Sequence, residues 1–441
     1  MGAPRPVRRV RQAIVVLALP AACAVWTIGV SARVEPASRV QADTPVRFET
    51  RQLDDHFWAE GATVADINRD GAQDLISGPF WYEGPAFTRR HEFMPATETF
   101  QRTRADGTTE TIPGFEGGLG TRNTYSENFL AFTDDLDRDG WTDVVIVGHP
   151  GRATHWYENP GGTGDDRHWT RHLLHEQVAN ESPAFVDIAG DGRPEIVCNS
   201  DSFFGYMERA PDDPTAPWTF HPISPKGTWG QYTHGLGVGD VNGDGRLDVI
   251  EADGWWEQPP SLDGHPVWTR HAAEFGPGAQ FFVDDVNGDG LNDVIGSLNA
   301  HEWGLAWHEQ VREGGTIAFR RHLIMGARAN EMPHGVAFSQ PHALAFVDID
   351  GDGLRDIVTG KRFWAHGRDG DPEPNAPAVL YWFQRVRQGS KVDWVPHLID
   401  DNSGVGTQVW VADVTGDGRP DVVVGNKKGV FVHTQQRTEA R

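Results

Sequence analysis

The chain of 441 residues carries 39 Lys and Arg against 63 Asp and Glu, a formal net charge of −24. This acidic balance argues against nucleic acid as a partner, because phosphate binding needs a basic surface. A hydrophobic fraction of 38% is enough for a packed core, so the composition excludes wholesale disorder. The two cysteines are too few for a disulfide-rich scaffold.

The first 32 residues have the organisation of a secretory signal. Arginines precede an apolar run from Ala13 to Val30, and Val30-Ser31-Ala32 is a small-residue cleavage sequence. We expect residues 1–32 to be a signal peptide, residues 33–45 to be a linker, and the mature protein to be secreted or periplasmic. Membrane attachment is expected only if the leader stays uncleaved and serves as an anchor.

A nine-residue pattern, Asp-x-[Asp/Asn]-x-Asp-Gly-x-x-[Asp/Glu], recurs seven times. The copies begin at Asp66, Asp135, Asp187, Asp240, Asp285, Asp348 and Asp413. Short apolar and aromatic runs, separated by Gly and Pro, flank each copy and are typical of strands. The mature chain shows no sustained helical periodicity.

Four strands per copy predict an all-β fold, a seven-bladed β-propeller with four antiparallel strands in each blade, over residues 46–434. The strand at Arg47–Leu53 has no blade before it, and the last copy stops after its third strand at Thr434. We therefore expect the N-terminal strand to complete the last blade, which removes the open edges. Residues 435–441 are then a tail.

The repeated loops predict calcium sites, because calcium prefers several oxygen ligands and positions 1, 3, 5 and 9 offer them. Five loops carry a full set of such side chains. Their predicted ligands are Asp66, Asn68, Asp70, Asp74, Asp135, Asp137, Asp139, Asp143, Asp240, Asn242, Asp244, Asp248, Asp285, Asn287, Asp289, Asp293, Asp348, Asp350, Asp352 and Asp356.

Two loops depart from this set and are expected to bind calcium weakly or not at all. One has Ala189 at position 3, and the other offers Asp413, Asp417 and Asp421 around the weaker Thr415. The alternative is that all these carboxylates cap backbone amides in tight turns without metal. In either case, a site repeated in every blade is structural.

The segments Asp240-Val241-Asn242-Gly243-Asp244-Gly245-Arg246-Leu247-Asp248 and Trp156-Tyr157-Glu158-Asn159-Pro160-Gly161 resemble the FG-GAP/VCBS-type repeat proteins. The resemblance extends over about residues 46–434 and implies a calcium-loop propeller. More distantly, the chain resembles the propeller domain of aldos-2-ulose dehydratases. That second resemblance implies activity on keto-sugars.

The face opposite the calcium loops is predicted to collect side chains that break the repeat. The candidate catalytic residues there are His342, His234, Tyr232, Lys361 and Arg362. The candidate substrate-binding residues are Glu60, Tyr125, His155, Glu181, Gln280, His301, Trp364, His366 and Gln408. Imidazole can abstract a proton, Tyr can protonate a leaving oxygen, and Lys or Arg can stabilise an enolate or a carboxylate. Six other histidines recur on the fourth strands, which predicts a packing role.

This inventory favours an exported, calcium-stabilised propeller that acts on a carbohydrate or another small molecule at the channel mouth, as a lyase or keto-sugar dehydratase. A zinc site built from His234, His342 and a neighbouring carboxylate is an alternative source of chemistry. Two further interpretations stay open. One is a propeller that binds carbohydrate without catalysis, and the other is a protein-interaction propeller used in adhesion.

Overall fold

A computed structural model describes residues 46–96, 99–104, 106–113, 125–162 and 168–436, which belong to one compact unit beginning at Ala42. The predicted leader, the linker and the last five residues of the tail lie outside the described residues. Within the described residues no helix is long and apolar enough to cross a membrane. The regular structure there is almost entirely β, with one short 3-10 turn at Ala329–Glu331.

Thirty strands are described, numbered here in chain order. The first fifteen are β1 (Arg47–Asp54), β2 (Thr63–Ala65), β3 (Asp74–Ser77), β4 (Phe80–Tyr82), β5 (Arg90–Glu92), β6 (Thr99–Thr103), β7 (Thr109–Pro113), β8 (Leu130–Asp134), β9 (Asp143–Val147), β10 (Arg152–Glu158), β11 (Thr170–Val178), β12 (Ala184–Val186), β13 (Glu195–Ser200), β14 (Phe203–Glu208) and β15 (Thr219–Pro222). The others are β16 (Leu236–Gly239), β17 (Asp248–Glu251), β18 (Gly254–Glu257), β19 (Thr269–Ala272), β20 (Gln280–Asp284), β21 (Asp293–Ser297), β22 (Leu305–Glu313), β23 (Thr316–Met325), β24 (Pro341–Val347), β25 (Asp356–Lys361), β26 (Leu380–Gln388), β27 (Lys391–Asp400), β28 (Val409–Ala412), β29 (Asp421–Asn426) and β30 (Gly429–Gln436).

The strands form antiparallel sheets in a β-propeller arrangement. Five sheets have four strands each: β2–β5, β8–β11, β12–β15, β24–β27, and β28–β30 with β1. The strands β16–β23 make one eight-stranded sheet, and β6 and β7 form a separate hairpin. First strands of most neighbouring sheets contact one another, β11 contacts β13 between the second and third sheets, and β28 contacts β2, so the described sheets return to their starting point.

The eight-stranded sheet differs from the predicted four strands per copy. Its two halves are joined by a parallel pairing of β16 with β20, at Leu236 with Gln280 and Gly237 with Phe281. Gly237 permits this close approach, because a Cβ there would lie 2.3 Å from the carbonyl oxygen of Phe281. Two repeat copies therefore share one hydrogen-bonded sheet.

The N-terminal strand pairs with the last strand, as the sequence predicts. β1 runs antiparallel to β30, from Arg47 opposite Gln436 to Asp54 opposite Val430. The last strand reaches Gln436, two residues beyond the predicted end at Thr434. This pairing covers the edge that β30 would otherwise expose.

The core lies between neighbouring sheets. The second strands β9, β13, β25 and β29 are buried along their whole length, because a sheet covers each face. Between the second and third sheets, for example, Val145 and Trp156 pack with Ile196 and Cys198.

The recurring histidines of the fourth strands stack on aromatic rings of the third strands. In five sheets or half-sheets the partner is Trp, with ring centroids 4.1 to 4.4 Å apart. The pairs are Trp81 with His91, Trp156 with His172, Trp255 with His271, Trp307 with His322, and Trp382 with His397. The recurring histidines therefore pack against the third strands, which is the role that their periodicity predicts.

Candidate active site

The candidate site is built where the chain enters or leaves the inner strands, opposite the acidic loops. Glu181 and His234 precede β12 and β16, while His342 lies at the start of β24. Arg362 directly follows β25, and His301 follows β21. Because the first strands surround a common axis, residues far apart in sequence meet at this end of the channel.

Three imidazoles and one carboxylate converge there. Nε2 of His342 lies 3.1 Å from Oε2 of Glu181, and Nε2 of His234 lies 3.5 Å from the same oxygen. Nε2 of His301 lies 2.9 Å from Nε2 of His234. All four residues offer a ligand atom within 4.8 Å of one another. Nitrogen and oxygen donors of this kind are the ligands that Zn²⁺ prefers.

The tautomer of His234 follows from its backbone contact. Nδ1 of His234 lies 2.8 Å from the carbonyl oxygen of Tyr232, which can only accept, so Nδ1 carries the proton. Burial lowers the pKa of His234 and keeps the ring neutral. The lone pair of Nε2 is therefore directed at Glu181 and His301.

Burial, with the Arg362 charge beside it, holds the pKa of His342 well below its ordinary value. Burial alone would raise the pKa of Glu181, but His342, His234 and Arg362 together keep it below its ordinary value. The cluster therefore combines two neutral imidazoles, His234 and His342, with the ionised carboxylate of Glu181. That protonation state is the one a metal ion requires of its ligands.

A buried charge pair supports the cluster from behind. Arg362 is 1% exposed, with Nη2 3.0 Å from Oε2 of Glu60 and Nη1 3.6 Å from Oε2 of Glu181. Nη1 of Arg362 also lies 3.0 Å from Nε2 of His342. The Lys427 ammonium lies 3.9 Å from Glu60, and burial lowers its pKa to about 8. Two acids thus face two bases in the interior.

An open cavity of about 360 Å³ leads to this cluster. Its lining residues are His234, Pro277, Asn299, His301, Glu302, Asp371 and Pro372. Asp371 accepts a hydrogen bond from Nδ1 of His366 at 2.7 Å, and its Oδ1 lies 3.6 Å from Nδ1 of His301. Five of the seven lining residues are polar, so the cavity offers hydrogen-bonding groups to a ligand.

The structure brings together seven of the residues that the sequence identifies. They are Glu60, Glu181, His234, His301, His342, Arg362 and His366. Two predicted tyrosines border them. The ring centroid of Tyr125 lies 4.8 Å from that of His149 and 5.8 Å from Cζ of Arg362. The ring centroid of Tyr232 lies 5.5 Å from that of His149, and this tyrosine is 43% exposed.

Lys361 is placed differently from its predicted catalytic role. Its side chain is 1% exposed, and Nζ donates to Oγ of Ser339 at 2.7 Å. Burial lowers the pKa of this lysine to about 8. Its contact is therefore with the protein interior beside the cavity, not with the His and Glu cluster.

The two predicted glutamines bind backbone across the channel. Gln408 donates to and accepts from the backbone of Ala131, at 2.8 and 3.0 Å. Gln280 donates to the carbonyl of Thr407 at 3.0 Å and accepts from the amide of Leu344 at 2.9 Å. These side chains link inner strands of different sheets.

Two further predicted residues lie away from the cluster. Trp364 donates from Nε1 to Asn375 at 2.8 Å, at the start of the loop that carries His366. His155 sits within β10, opposite Ile146 of β9 and Leu173 of β11.

Sequence reasoning missed Asp371. This residue belongs to an insertion between β25 and β26 that has no counterpart in the repeat, so its register could not be aligned with other copies. The length of the insertion was the available signal. Its charge gave no further indication, because Asp369 and Glu373 stand beside it.

The seven acidic loops each join the first strand of a repeat copy to its second. In every loop the position-9 carboxylate accepts a hydrogen bond from the amide of position 2, at 2.8 to 3.0 Å. These carboxylates are buried, and burial among like charges raises their pKa, for Asp356 to about 8. The loops therefore contain capped turns and also a concentration of negative charge that a cation would balance.

Three loops supply a cation of their own, an arginine at position 7 that contacts the position-5 carboxylate. Arg193 donates to Oδ2 of Asp191 at 2.9 and 2.6 Å, and Arg246 and Arg419 make the corresponding contacts with Asp244 and Asp417. An arginine in this position competes with a metal for the same oxygen. The loop that begins at Asp240, predicted as a full-strength site, is one of the three.

Comparison with known proteins gives a match for one part of the chain. Residues 135–198 match the FG-GAP-like repeat family, a range that contains the loops beginning at Asp135 and Asp187. No curated protein sequence matches the chain.

Similar solved structures include three of different kinds. A lectin from Agrocybe aegerita that recognises non-reducing terminal N-acetylglucosamine is 17% identical, with 85% of this chain and 84% of that chain covered and a TM-score of 0.42. The V. cholerae biofilm matrix protein Bap1 is 11% identical, with 88% and 91% covered and a TM-score of 0.40. The rhamnogalacturonan lyase YesW is 16% identical, with 89% and 74% covered and a TM-score of 0.39.

Proposed function

We propose that this protein is an exported, metal-dependent enzyme that acts on carbohydrate as a lyase or dehydratase. The observation that carries the proposal is the convergence of Glu181, His234, His301 and His342 at the inner end of the cavity. Such a donor set fits a catalytic transition-metal site, usually zinc, next to space for a substrate.

The ligand spacing supports this assignment. For metal–ligand bonds of about 2.1 Å, the ligand atoms of a tetrahedral site lie roughly 3.4 Å apart. Of the six distances among the four ligand atoms, three are 2.9, 3.1 and 3.5 Å, and all four atoms lie within 4.8 Å of one another. A cation would also relieve the close approach of His234 to His301, whose ring nitrogens otherwise need a shared proton.

A bound divalent ion would supply a Lewis acid for a carbonyl or hydroxyl oxygen of the substrate. The protein's own residues then have separate tasks. His234, held by the Tyr232 carbonyl, keeps its Nε2 lone pair in place. Arg362 and Glu60 hold Glu181 from behind. We assign Glu302, which lines the cavity, as the base that removes a proton from the substrate.

Charge balance favours an anionic group on the substrate or on the reacting species. Glu60 and Glu181 are matched by Arg362 and Lys427, and Asp371 adds one negative charge near the cavity. A divalent ion would leave this set with one net positive charge, which the Glu302 carboxylate balances until it takes up the substrate proton. That charge would stabilise a sugar carboxylate, or the enolate formed when a proton is lost next to a carbonyl.

The proposal also covers the scaffold. We assign the eight-stranded sheet as two blades joined by the β16–β20 pair, which makes seven blades of four strands. We assign calcium to the acidic loops that lack an arginine at position 7, as a structural ion. Export follows from the signal-like sequence at residues 1–32.

The experiment uses purified mature protein held in excess Ca²⁺, so that the acidic loops do not take up the metal under study. Bound Zn²⁺ is measured by metal analysis, and keto-sugars, hexuronates and oligouronates are screened by the ultraviolet absorbance of an unsaturated product. Turnover should disappear on removal of the transition metal and return with Zn²⁺. Protein that binds no transition metal at micromolar concentration would refute the metal centre.

A matched pair of variants separates catalysis from binding. Glu302→Gln should abolish turnover and leave bound Zn²⁺ unchanged. The control is Glu313→Gln, which removes the same charge from the exposed tip of the β22–β23 hairpin. If sugars bind but neither wild type nor the control consumes any, the protein is a carbohydrate-binding propeller instead.

A further inference from the structure

Asp371 occupies a position from which it can control one ligand of the proposed metal centre. Its Oδ1 lies 2.7 Å from Nδ1 of His366 and 3.6 Å from Nδ1 of His301, and its side chain is 8% exposed. The other ring nitrogen of His301, Nε2, is the atom directed at His234. Asp371 therefore faces the far side of a candidate ligand.

The same three residues could be taken for a second metal site, but the ring geometry argues against it. The His301 and His366 rings are stacked, with centroids 4.3 Å apart and planes at 29°. A histidine binds metal along a lone pair in its ring plane, at about 2.0–2.1 Å. Two nearly parallel rings at this separation cannot both direct lone pairs at one ion. Nδ1 of His366 instead donates to the Asp371 carboxylate, and Nδ1 of His301 faces the same oxygen at 3.6 Å.

The loop that carries Asp371 is held by buried polar groups. Nζ of Lys427 donates to the carbonyl of Trp364 at 2.5 Å, at the start of the loop. Oγ of Ser339 and Nε2 of Gln340 donate to the carbonyl of Pro372, at 2.8 and 3.1 Å. Lys361 completes this set through its hydrogen bond to Ser339. The backbone next to Asp371 is thus fixed from the interior.

The backbone conformation of the loop is also unusual. Trp364, Asp371 and Glu373 have φ values of 53°, 53° and 50°. Residues other than Gly adopt this left-handed region at an energetic cost, and the surrounding structure must impose it. In this conformation the Asp371 carboxylate faces Nδ1 of both His301 and His366.

We infer that Asp371 is a positioning residue whose charge, 3.6 Å from Nδ1 of His301, favours the tautomer with the proton on Nδ1 and so directs the Nε2 lone pair of His301 into the proposed metal centre. The inference rests on the proposed function, because it requires that centre. A carboxylate behind a ligating histidine sets its tautomer, orients its ring and raises its basicity. Lys361 and Lys427 then act by holding the loop, and not by contact with substrate.

The test is a titration with Co²⁺, in excess Ca²⁺, of wild type and of Asp371→Ala and Asp371→Asn. We expect one Co²⁺ per chain outside the acidic loops in all three. The affinity should fall by about 10- to 100-fold in Asp371→Ala, with a changed visible absorption spectrum. The affinity of Asp371→Asn should lie in between, because its amide oxygen still faces Nδ1 of His301 but carries no charge.

Asp369→Asn is the matched control, since it removes the same charge from the same loop at a side chain that is 91% exposed. Its affinity and spectrum should equal those of the wild type. Failure of wild type to bind Co²⁺ would overturn the metal centre itself. Binding by wild type with unchanged affinity and spectrum in Asp371→Ala would overturn only the role of Asp371. Thermal melting of the metal-free variants tests whether the fold is retained. If Asp371→Ala is unfolded, the comparison is made between wild type and Asp371→Asn.

Discussion

Nε2 of His301 lies 2.9 Å from Nε2 of His234 at the inner end of the cavity. Because His234 carries its proton on Nδ1, its Nε2 presents a lone pair to His301. If the Asp371 charge keeps the proton of His301 on Nδ1, then Nε2 of His301 presents a lone pair as well. Two lone pairs at this distance repel each other, and a cation between them removes the conflict.

The first prediction is therefore that His301→Ala and His234→Ala each weaken Zn²⁺ binding by more than about 100-fold. This loss exceeds the one expected for a residue that only hydrogen-bonds to a metal ligand. Competition with a chromogenic chelator in excess Ca²⁺ measures the affinity. His168→Gln is the control, because this histidine is exposed and paired with Glu92 outside the cavity. Equal affinity in wild type and in both alanine variants would show that these nitrogens do not bind the metal.

The second prediction concerns the buried cation behind the cluster. Arg362→Met leaves Glu60 and Glu181 buried without their nearest positive charge. Removal of one partner of a buried ion pair costs about 3–5 kcal/mol in the free energy of unfolding. Urea unfolding of metal-free protein measures this loss.

A double-mutant cycle checks that the loss comes from the pair. Glu60→Gln combined with Arg362→Met should cost less than the sum of the two single changes, by more than about 0.5 kcal/mol. Additive costs would mean that Glu60 and Arg362 act independently, despite the 3.0 Å between them.

The sequence was sufficient for the parts of the fold that repeat. The seven copies located the turn between first and second strands, and the unpaired N-terminal strand predicted the β1–β30 pairing. The joined sheet was not predictable, because it depends on how closely Gly237 approaches Phe281.

The sequence could not distinguish adjacent residues that have opposite environments in the fold. Lys361 and Arg362 stand together in sequence, but successive side chains of a strand point to opposite sides. Arg362 enters the cluster, whereas Lys361 binds Ser339. For Asp371 the sequence offered only the length of its insertion, because only the folded loop places this residue beside His301.

The third prediction distinguishes the acidic loops from one another. Asp139→Asn should reduce the rise in melting temperature that Ca²⁺ produces, because Asp135, Asp137 and Asp143 surround that position without an arginine at position 7. Asp191→Asn should leave the rise unchanged, since Arg193 already occupies that carboxylate. Calorimetry with Ca²⁺ and with a calcium-selective chelator measures it. A ligand present at about 100 times its dissociation constant adds roughly 2.7 kcal/mol of stability.

The same loops offer a change in the opposite direction. Arg246→Gln frees Asp244 in a loop whose other positions are complete. The Ca²⁺-dependent stabilisation should therefore increase. A melting temperature that does not respond to Ca²⁺ in wild type or in any of these variants would show that the loops are capped turns without metal.

The last prediction is an acid destabilisation that arises from His308, within β22. Its side chain is 2% exposed, and burial, with the charges of Arg321 and His322 nearby, lowers its pKa from 6.5 to about 4. The folded state must therefore keep this ring neutral where the unfolded chain protonates it. Because the unfolded state binds more protons between these values, the free energy of unfolding falls as the pH drops from about 6.5 to 4. The full effect of one such group is on the order of 3 kcal/mol.

His308→Phe removes the titrating group and keeps a ring of similar shape against Phe275, which lies 5.1 Å away. Urea unfolding at several pH values should show a shallower loss of stability in this variant than in wild type. Phe383→Leu is the control, because it alters a buried ring in the neighbouring sheet and should lower the unfolding free energy equally at pH 7 and pH 5. An unchanged pH dependence in His308→Phe would place the acid sensitivity in other buried groups, with His433 the next candidate, since burial lowers its pKa to about 4 as well.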